Sequence, residues 1–235
     1  YKAVFDQIEA TTGVPPEVIA GFWGLETDFG ANMGKLATIR SVATLAYDCR
    51  RPDMFRAELK DLLRVIARGD LTAEEMRGPW AGELGQFQFL PSYYLNLAVD
   101  FDGDGRRDLL NSTPDALASA AALIQSFGWR AGEPWLEEVQ VPIRMDWKEA
   151  DLAIQHPRSY WVKAGVKGVR APLAADAMPA ALLLPMGRNG PAFLAYPNFQ
   201  AYLQWNQSLV YSTTAAYFAT RIDGAGPVKP GRATV

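Results

Sequence analysis

The chain has 235 residues, 49% of them apolar and 21% charged, with a formal net charge of −3. That length can bury a sizeable core in one large domain or two small ones. The mild acidic balance lacks the basic surplus of a nucleic-acid binder, and a single cysteine (Cys49) and a single histidine (His156) exclude an intrachain disulfide and the usual zinc site.

In chain order, Tyr1–Thr12 is amphipathic and predicted helical. Gly13-Val14-Pro15-Pro16 then breaks the chain and opens a second helix, Pro15–Phe29, with proline in its first turn. Val18, Phe22, Leu25 and Phe29 form one apolar stripe of that helix, and Ile19 and Trp23 form another. The next position on the second stripe is Glu26. A carboxylate on the shoulder of an apolar face loses water on at least one side, which disfavours its charged form and suits a general acid. Gly21 and Gly24 thin the helix there and leave room for a ligand. The alternative reading is an ordinary solvated glutamate.

Helices are predicted next over Thr38–Tyr47 and Asp53–Arg68, the latter ended by Gly69. Thr72-Ala73-Glu74-Glu75 has the form of a capping box and predicts one more short helix. Trp80–Pro91 reads as a helix interrupted by its glycines. Ser112-Thr113-Pro114-Asp115 starts a strongly helix-prone stretch, Ala116–Phe127, closed by Gly128. A short strand is predicted near Glu138–Ile143, and Ala180–Pro185 with Ala192–Ala195 forms a β-hairpin. Helices return at Asn198–Trp205 and Leu209–Ile222. No apolar run is long enough to span a bilayer.

The expected fold is mainly α (α+β): a helical core over 1–136, a small partly β insertion over 137–196, closing helices over 197–223, and a Gly/Pro-rich tail or linker stub over 224–235. The chain opens inside a helix, and a removed signal or anchor is compatible with that start.

Three further segments carry chemistry. Trp80–Ser92 interleaves Glu83, Gln86, Phe87 and Gln88 with glycines. Amides between aromatic rings suit a sugar groove, and the alternative reading is a buried loop whose glutamines satisfy backbone groups. Asp100-Phe101-Asp102-Gly103-Asp104-Gly105-Arg106-Arg107-Asp108-Leu109-Leu110-Asn111 places Asp at positions 1, 3 and 5 and Gly at 6 of an EF-hand loop. Position 12 is Asn111 in place of Glu, and Asp115 is available as its substitute. A structural calcium ion held by Asp100, Asp102, Asp104, the Arg106 carbonyl and Asp115 is one reading, and an acidic turn without metal is the other. Tyr196-Pro197-Asn198-Phe199, Trp205-Asn206-Gln207-Ser208 and Tyr211 form a third cluster, readable as a glycan surface or as helix caps and core.

Taken in order, Gly24-Leu25-Glu26-Thr27-Asp28-Phe29-Gly30, Gly82–Ser92, the aspartate loop with Asp115-Ala116-Leu117 and Gly128-Trp129, and the late Tyr-Pro-Asn-Phe and Trp-Asn-Gln-Ser elements resemble the MltB-type lytic murein transglycosylases over nearly the whole chain. The resemblance implies a lysozyme-like helical fold and a lytic enzyme. Such an enzyme cleaves the β-1,4 bond between N-acetylmuramic acid and N-acetylglucosamine of peptidoglycan, leaving 1,6-anhydromuramoyl ends. It implies Glu26 as the single acid and base, Gln88 as a substrate-binding glutamine, and Trp205 with Asn206 as an aromatic–Asn pair at the cleft. Glu83, Gln86, Phe87, Tyr196 and Tyr211 are the other expected glycan contacts. Pro79 stands where the family often has a serine beside the sugar, and a proline has no hydroxyl to make that contact. The resemblance further implies no cofactor for the chemistry, peptidoglycan strands as partner, a monomer, and a periplasmic or envelope location with any anchor outside this chain. A hydrolytic muramidase and a non-catalytic peptidoglycan-binding module are the rival functions.

Overall fold

A computed structural model describes residues 1–231, so residues 232–235 of the expected tail lie outside the described residues. The chain divides into two compact units, Tyr1–Ser126 and Phe127–Val235.

The first unit runs α1 (Lys2–Thr12), α2 (Pro16–Thr27), β1 (Leu36–Ala37), α3 (Thr38–Tyr47), α4 (Pro52–Arg68), β2 (Arg77–Gly78), α5 (Pro91–Leu97) and α6 (Thr113–Ser126). The centre is α6, where Ala116, Leu117, Ala118, Ala120, Ala121, Leu123 and Ile124 are all buried. A helix apolar nearly all round must be covered on several sides. Its alanines let α1, α2 and α5 approach closely. α2 contributes Val18, Ile19 and Phe22, each at most 1% exposed, and burying side chains of this size stabilises by roughly 1.5–3 kcal/mol apiece.

Two predicted helices of this unit are absent. The capping box at Thr72 does form: the Thr72 N–H donates to Glu75 at 2.6 Å and the Glu75 N–H to the Thr72 hydroxyl at 3.3 Å. It closes a single turn, because the chain then pairs β2 with β1 in the register Leu36↔Gly78 and Ala37↔Arg77. Nor is Trp80–Pro91 a helix. Leu84 and Phe89 exchange two backbone hydrogen bonds of 2.8 Å, which fold residues 84–89 into a closed loop. α5 follows it, its Ser92 N–H and hydroxyl both donating to the buried Glu58 at 2.8 Å.

The second unit contains β3 (Leu136–Gln140), β4 (His156–Pro157), α7 (Arg158–Lys163), β5 (Lys167–Gly168), β6 (Pro179–Leu183), β7 (Ala192–Ala195), α8 (Phe199–Trp205) and α9 (Leu209–Ile222). The sheet order is β4-β6-β7-β3-β5, with every neighbouring pair antiparallel. Val139, Trp161, Leu182, Leu194 and Tyr196 pack as its core.

The Trp135 indole donates to the Ala216 carbonyl at 2.9 Å and to Thr220 at 3.0 Å, and the Tyr217 hydroxyl donates to Glu138 at 3.0 Å. These bonds make α9 part of the sheet unit, whereas 197–223 was expected to close the helical core. Within the expected tail the Lys229 N–H donates to Glu138 at 2.7 Å. No helix among the described residues is long and apolar enough to cross a membrane.

Candidate active site

Glu26 lies half-buried in the last turn of α2. Thr27 ends the helix, and Asp28, Phe29 and Gly30 all follow with positive φ, at 52°, 59° and 87°. Left-handed backbone is costly for Asp and Phe. Here it is offset by the Asp28 N–H donating to Gly24 at 3.0 Å and the Phe29 N–H to Trp23 at 3.2 Å. The same turn ends the predicted apolar stripe early, because Phe29 leaves the helical path and is half exposed. Glu26 therefore sits at the carbonyl end of α2, where the helix dipole favours a neutral carboxyl over an anion.

Thr27 ties this helix end to the glutamine-rich loop. Buried to 1% exposure, its hydroxyl donates to the Gln86 carbonyl at 2.7 Å and accepts the Gly30 N–H at 2.9 Å. Sequence reading passed over Thr27, since a threonine inside a helix carries no signal of a contact 59 residues away. Gln86 itself is buried, its amide donating to the Leu110 carbonyl and to Thr113, both at 3.3 Å. Phe87 is 2% exposed and stacks on Trp23 with centroids 6.4 Å apart. The expectation that Gln86 and Phe87 face sugar is thereby corrected: the Leu84–Phe89 closure turns both inward, where they brace the loop.

Gln88 is different. It is half-buried with φ at 52°, and its amide donates to the Gly85 carbonyl at 2.9 Å. The same amide reaches the Met33 carbonyl at 3.5 Å, and the backbone is fixed by a bond from the Gln88 N–H to Gly85 at 3.2 Å.

Two glycines bring the surrounding backbone within reach. A Cβ on Gly34 would lie 2.2 Å from the Gly78 carbonyl carbon, and one on Gly78 would lie 2.2 Å from the Glu83 oxygen. Only glycine permits such approach. It clamps the chain after α2 against residues 78–83.

Glu83 is half-buried, and its Oε2 is buried without a hydrogen-bond partner. Burial raises this carboxyl above its ordinary value, its own backbone N–H opposes that most, the Glu26 charge raises it further, and Arg51 also opposes the rise.

The aspartate loop is built in the same unit. Asp100 accepts the N–H groups of Gly103 and Gly105 at 2.8 and 2.9 Å, and Asp102 accepts the Ser112 hydroxyl at 2.6 Å. Asp115, with 0% exposure, accepts N–H groups from Phe101 at 2.8 Å and Asp108 at 2.9 Å. Oxygens of Asp100, Asp102 and Asp115 lie within 4.8 Å of one another. Three hard carboxylate donors converging in this way fit a calcium ion.

Asp104 falls outside that group and accepts the Arg106 N–H at 2.8 Å. The Arg106 guanidinium reaches the Asp70 carbonyl at 2.8 Å, so only its own carbonyl is available to a cation. Asn111 donates its amide to Asp108 at 3.0 Å and offers no carboxylate at the twelfth position of the loop.

A family model described as the transglycosylase SLT domain matches residues 1–220. The chain belongs to that family. It is 30% identical over 220 residues to membrane-bound lytic murein transglycosylase B of Escherichia coli (strain K12), covering 90% of this chain and 58% of that protein. The structure of SltB3 from Pseudomonas aeruginosa in complex with NAG-anhNAM-pentapeptide is similar with a TM-score of 0.92 at 41% identity, covering 97% of this chain and 62% of that one. The E. coli lytic transglycosylase Slt35 in complex with calcium is similar with a TM-score of 0.79 at 28% identity, over 95% of this chain and 70% of that one. The expected fold class stands: a mainly helical transglycosylase domain with a small sheet, shared with these lytic transglycosylases.

The other expected contacts of this transglycosylase domain belong to the second unit. Tyr196 is 2% exposed, its hydroxyl donates to Glu137 and the Arg158 guanidinium lies 5.5 Å from its ring centroid. It is a core residue of the sheet, which corrects its assignment as a sugar contact. Trp205, Asn206 and Tyr211 are half-buried around the turn joining α8 to α9. The Asn206 side chain accepts the Ser208 N–H at 2.9 Å.

Proposed function

We propose that this domain is a lytic transglycosylase that cleaves the β-1,4 bond between N-acetylmuramic acid and N-acetylglucosamine in peptidoglycan, with Glu26 as its one acid and base. The observation that carries this reading is Glu26 itself, half-buried at the carbonyl end of α2 and held beside the glutamine-rich loop through Thr27. Family membership supports the substrate class. The chain spans 58% of the length of its E. coli relative, so the activity is assigned to this domain on its own residues.

In the first step Glu26 gives its proton to the glycosidic oxygen as the C1–O bond breaks, and the substrate's own acetamido oxygen stabilises the cationic C1. This substrate assistance removes the need for a second catalytic carboxylate. In the second step the C6 hydroxyl attacks C1, and Glu26, now a carboxylate, takes its proton. No water is consumed, and the enzyme returns to its starting protonation. An environment that makes the neutral carboxyl accessible near neutrality serves both steps.

Gln88 is assigned to hold the substrate's polar groups, and Trp205, Asn206 and Tyr211 are assigned as glycan contacts on the second unit. Gln88→Ala is expected to lower kcat/KM about tenfold, the loss of one good hydrogen bond in the transition state. An unchanged kcat/KM would remove Gln88 from the site.

Asp100, Asp102 and Asp115 would hold a calcium ion, whose role is to neutralise their charge and order the loop. Asp100→Ala is then expected to lower the melting temperature more in calcium than in chelator. Equal losses in both buffers would mean that the loop takes no cation. An envelope location follows from the substrate.

A further inference from the structure

Glu83 has no part in the mechanism above, yet its placement is unusual. Its backbone is clamped between Gly78, whose missing Cβ is replaced by the Glu83 carbonyl, and the Leu84–Phe89 closure. Gly82 before it (φ 92°) packs against Val42 of α3. The side chain is thereby directed by a rigid loop. A glutamate serving only structure would satisfy both carboxyl oxygens, because burying an unpaired one is costly. Glu83 leaves Oε2 buried and unpaired.

The charged groups facing Glu83 are Glu26 of α2 and Arg51 at the start of α4. Arg51 is also engaged over the Phe55 ring, 5.4 Å from its centroid. The loop thus holds two carboxyls in one electrostatic neighbourhood, with one partly committed cation.

We propose that Glu83 is a positioning residue for proton transfer: from the rigid loop, which Thr27 ties to the end of α2, it acts on Glu26 as a like-charged neighbour and favours the protonated form of the Glu26 carboxyl. The inference rests on the reading of Glu26 as acid and base. Coupling between two titrating groups is reciprocal, so the influence of Glu26 that raises Glu83 has its equal in the influence of Glu83 on Glu26. The proton so favoured on Glu26 is the one delivered in the acid step. Once Glu26 has delivered it to the leaving oxygen, two adjacent anions make Glu26 a stronger base toward the C6 hydroxyl. The neighbour therefore assists the second step as well as keeping the first available at neutral pH.

The sign of the effect follows. Removing the neighbouring negative charge lets Glu26 ionise at lower pH, so the alkaline limb of the activity profile moves down. In Glu83→Gln, which keeps shape and removes charge, the limb for anhydromuropeptide release from sacculi is expected to fall by about one pH unit. The rate near neutrality should then drop several-fold, with the melting temperature unchanged. Glu83→Asp should restore part of the wild-type profile. A parallel titration of the Glu26 carboxyl by 13C NMR, in wild type and in Glu83→Gln, reads the coupling without reference to catalysis. A lowered Glu26 midpoint together with a lowered alkaline limb supports the proposal. A lowered midpoint with the limb unmoved overturns the reading of Glu26 as acid and base, and with it the role in proton transfer, but not the coupling. A Glu26 midpoint that stays in place overturns the proposal.

Discussion

Glu26→Gln is expected to reduce anhydromuropeptide release from sacculi by at least about 10³-fold, within the range that general acid–base groups contribute. The amide keeps the size and most of the hydrogen-bonding capacity of the carboxyl but has no acidic proton for the leaving oxygen and no basic oxygen for the C6 hydroxyl. Both steps fail in one substitution. Glu26 is only half-buried, so the melting temperature and binding to sacculi should be retained. Those two readouts separate lost chemistry from lost fold. Substantial turnover in the variant would contradict the assigned role.

The second large effect is structural. Gly85 has φ at 76°, and a Cβ there would lie 2.5 Å from the Leu109 carbonyl oxygen, the oxygen that accepts the Gln86 N–H at 3.0 Å. Gly85→Ala combines left-handed strain with a backbone clash, and together these should destabilise by roughly 2–4 kcal/mol. Gly69 provides the control, with φ at 88° and nothing within 4 Å of its Cβ position. Gly69→Ala should cost only the strain, about 1–2 kcal/mol. Calorimetry should rank Gly85→Ala well below Gly69→Ala in melting temperature, and only the former should lose activity, because it shifts the loop carrying Glu83 and Gln88. Equal losses would mean that the loop can retreat from Leu109.

Much of the helical frame was legible because its signals are local. Thr38–Tyr47 and Leu209–Ile222 appear at their predicted bounds. The Asp53–Arg68 helix stops at Gly69, whose positive φ only glycine adopts cheaply. The misses share one cause, which is pairing distant in sequence. Thr72–Glu75 forms its capping box, but the ladder to Leu36–Ala37 claims the chain before a second turn. Trp80–Pro91 has helix-period apolar residues, yet the bonds between Leu84 and Phe89 close it as a loop. The short α5 and α7, of 7 and 6 residues, offer too few turns for periodicity to register.

The candidate site follows the same division. Glu26 was legible because a carboxylate interrupted an apolar stripe, a pattern within one helix. Gln86, Phe87 and Tyr196 were misassigned because their residue types suit a sugar groove and a core equally. Only the three-dimensional closure decides between those two. Asn198 proves structural without capping its helix: it is buried, and its amide donates to the carbonyls of Arg130 and Glu133 at 2.9 and 2.8 Å rather than to the first turn of α8. Glu83 stood out in sequence only as a second acid. Its unpaired oxygen and its coupling to Glu26 needed the loop to be folded against α2.

Mass spectrometry of the muropeptides released from purified sacculi tests the central claim most directly. Products lighter by one water than the reducing muropeptides, and absent when Glu26→Gln replaces the wild type, are the expected result. Reducing ends released by the wild-type chain would show that water enters the reaction, and would contradict the non-hydrolytic mechanism.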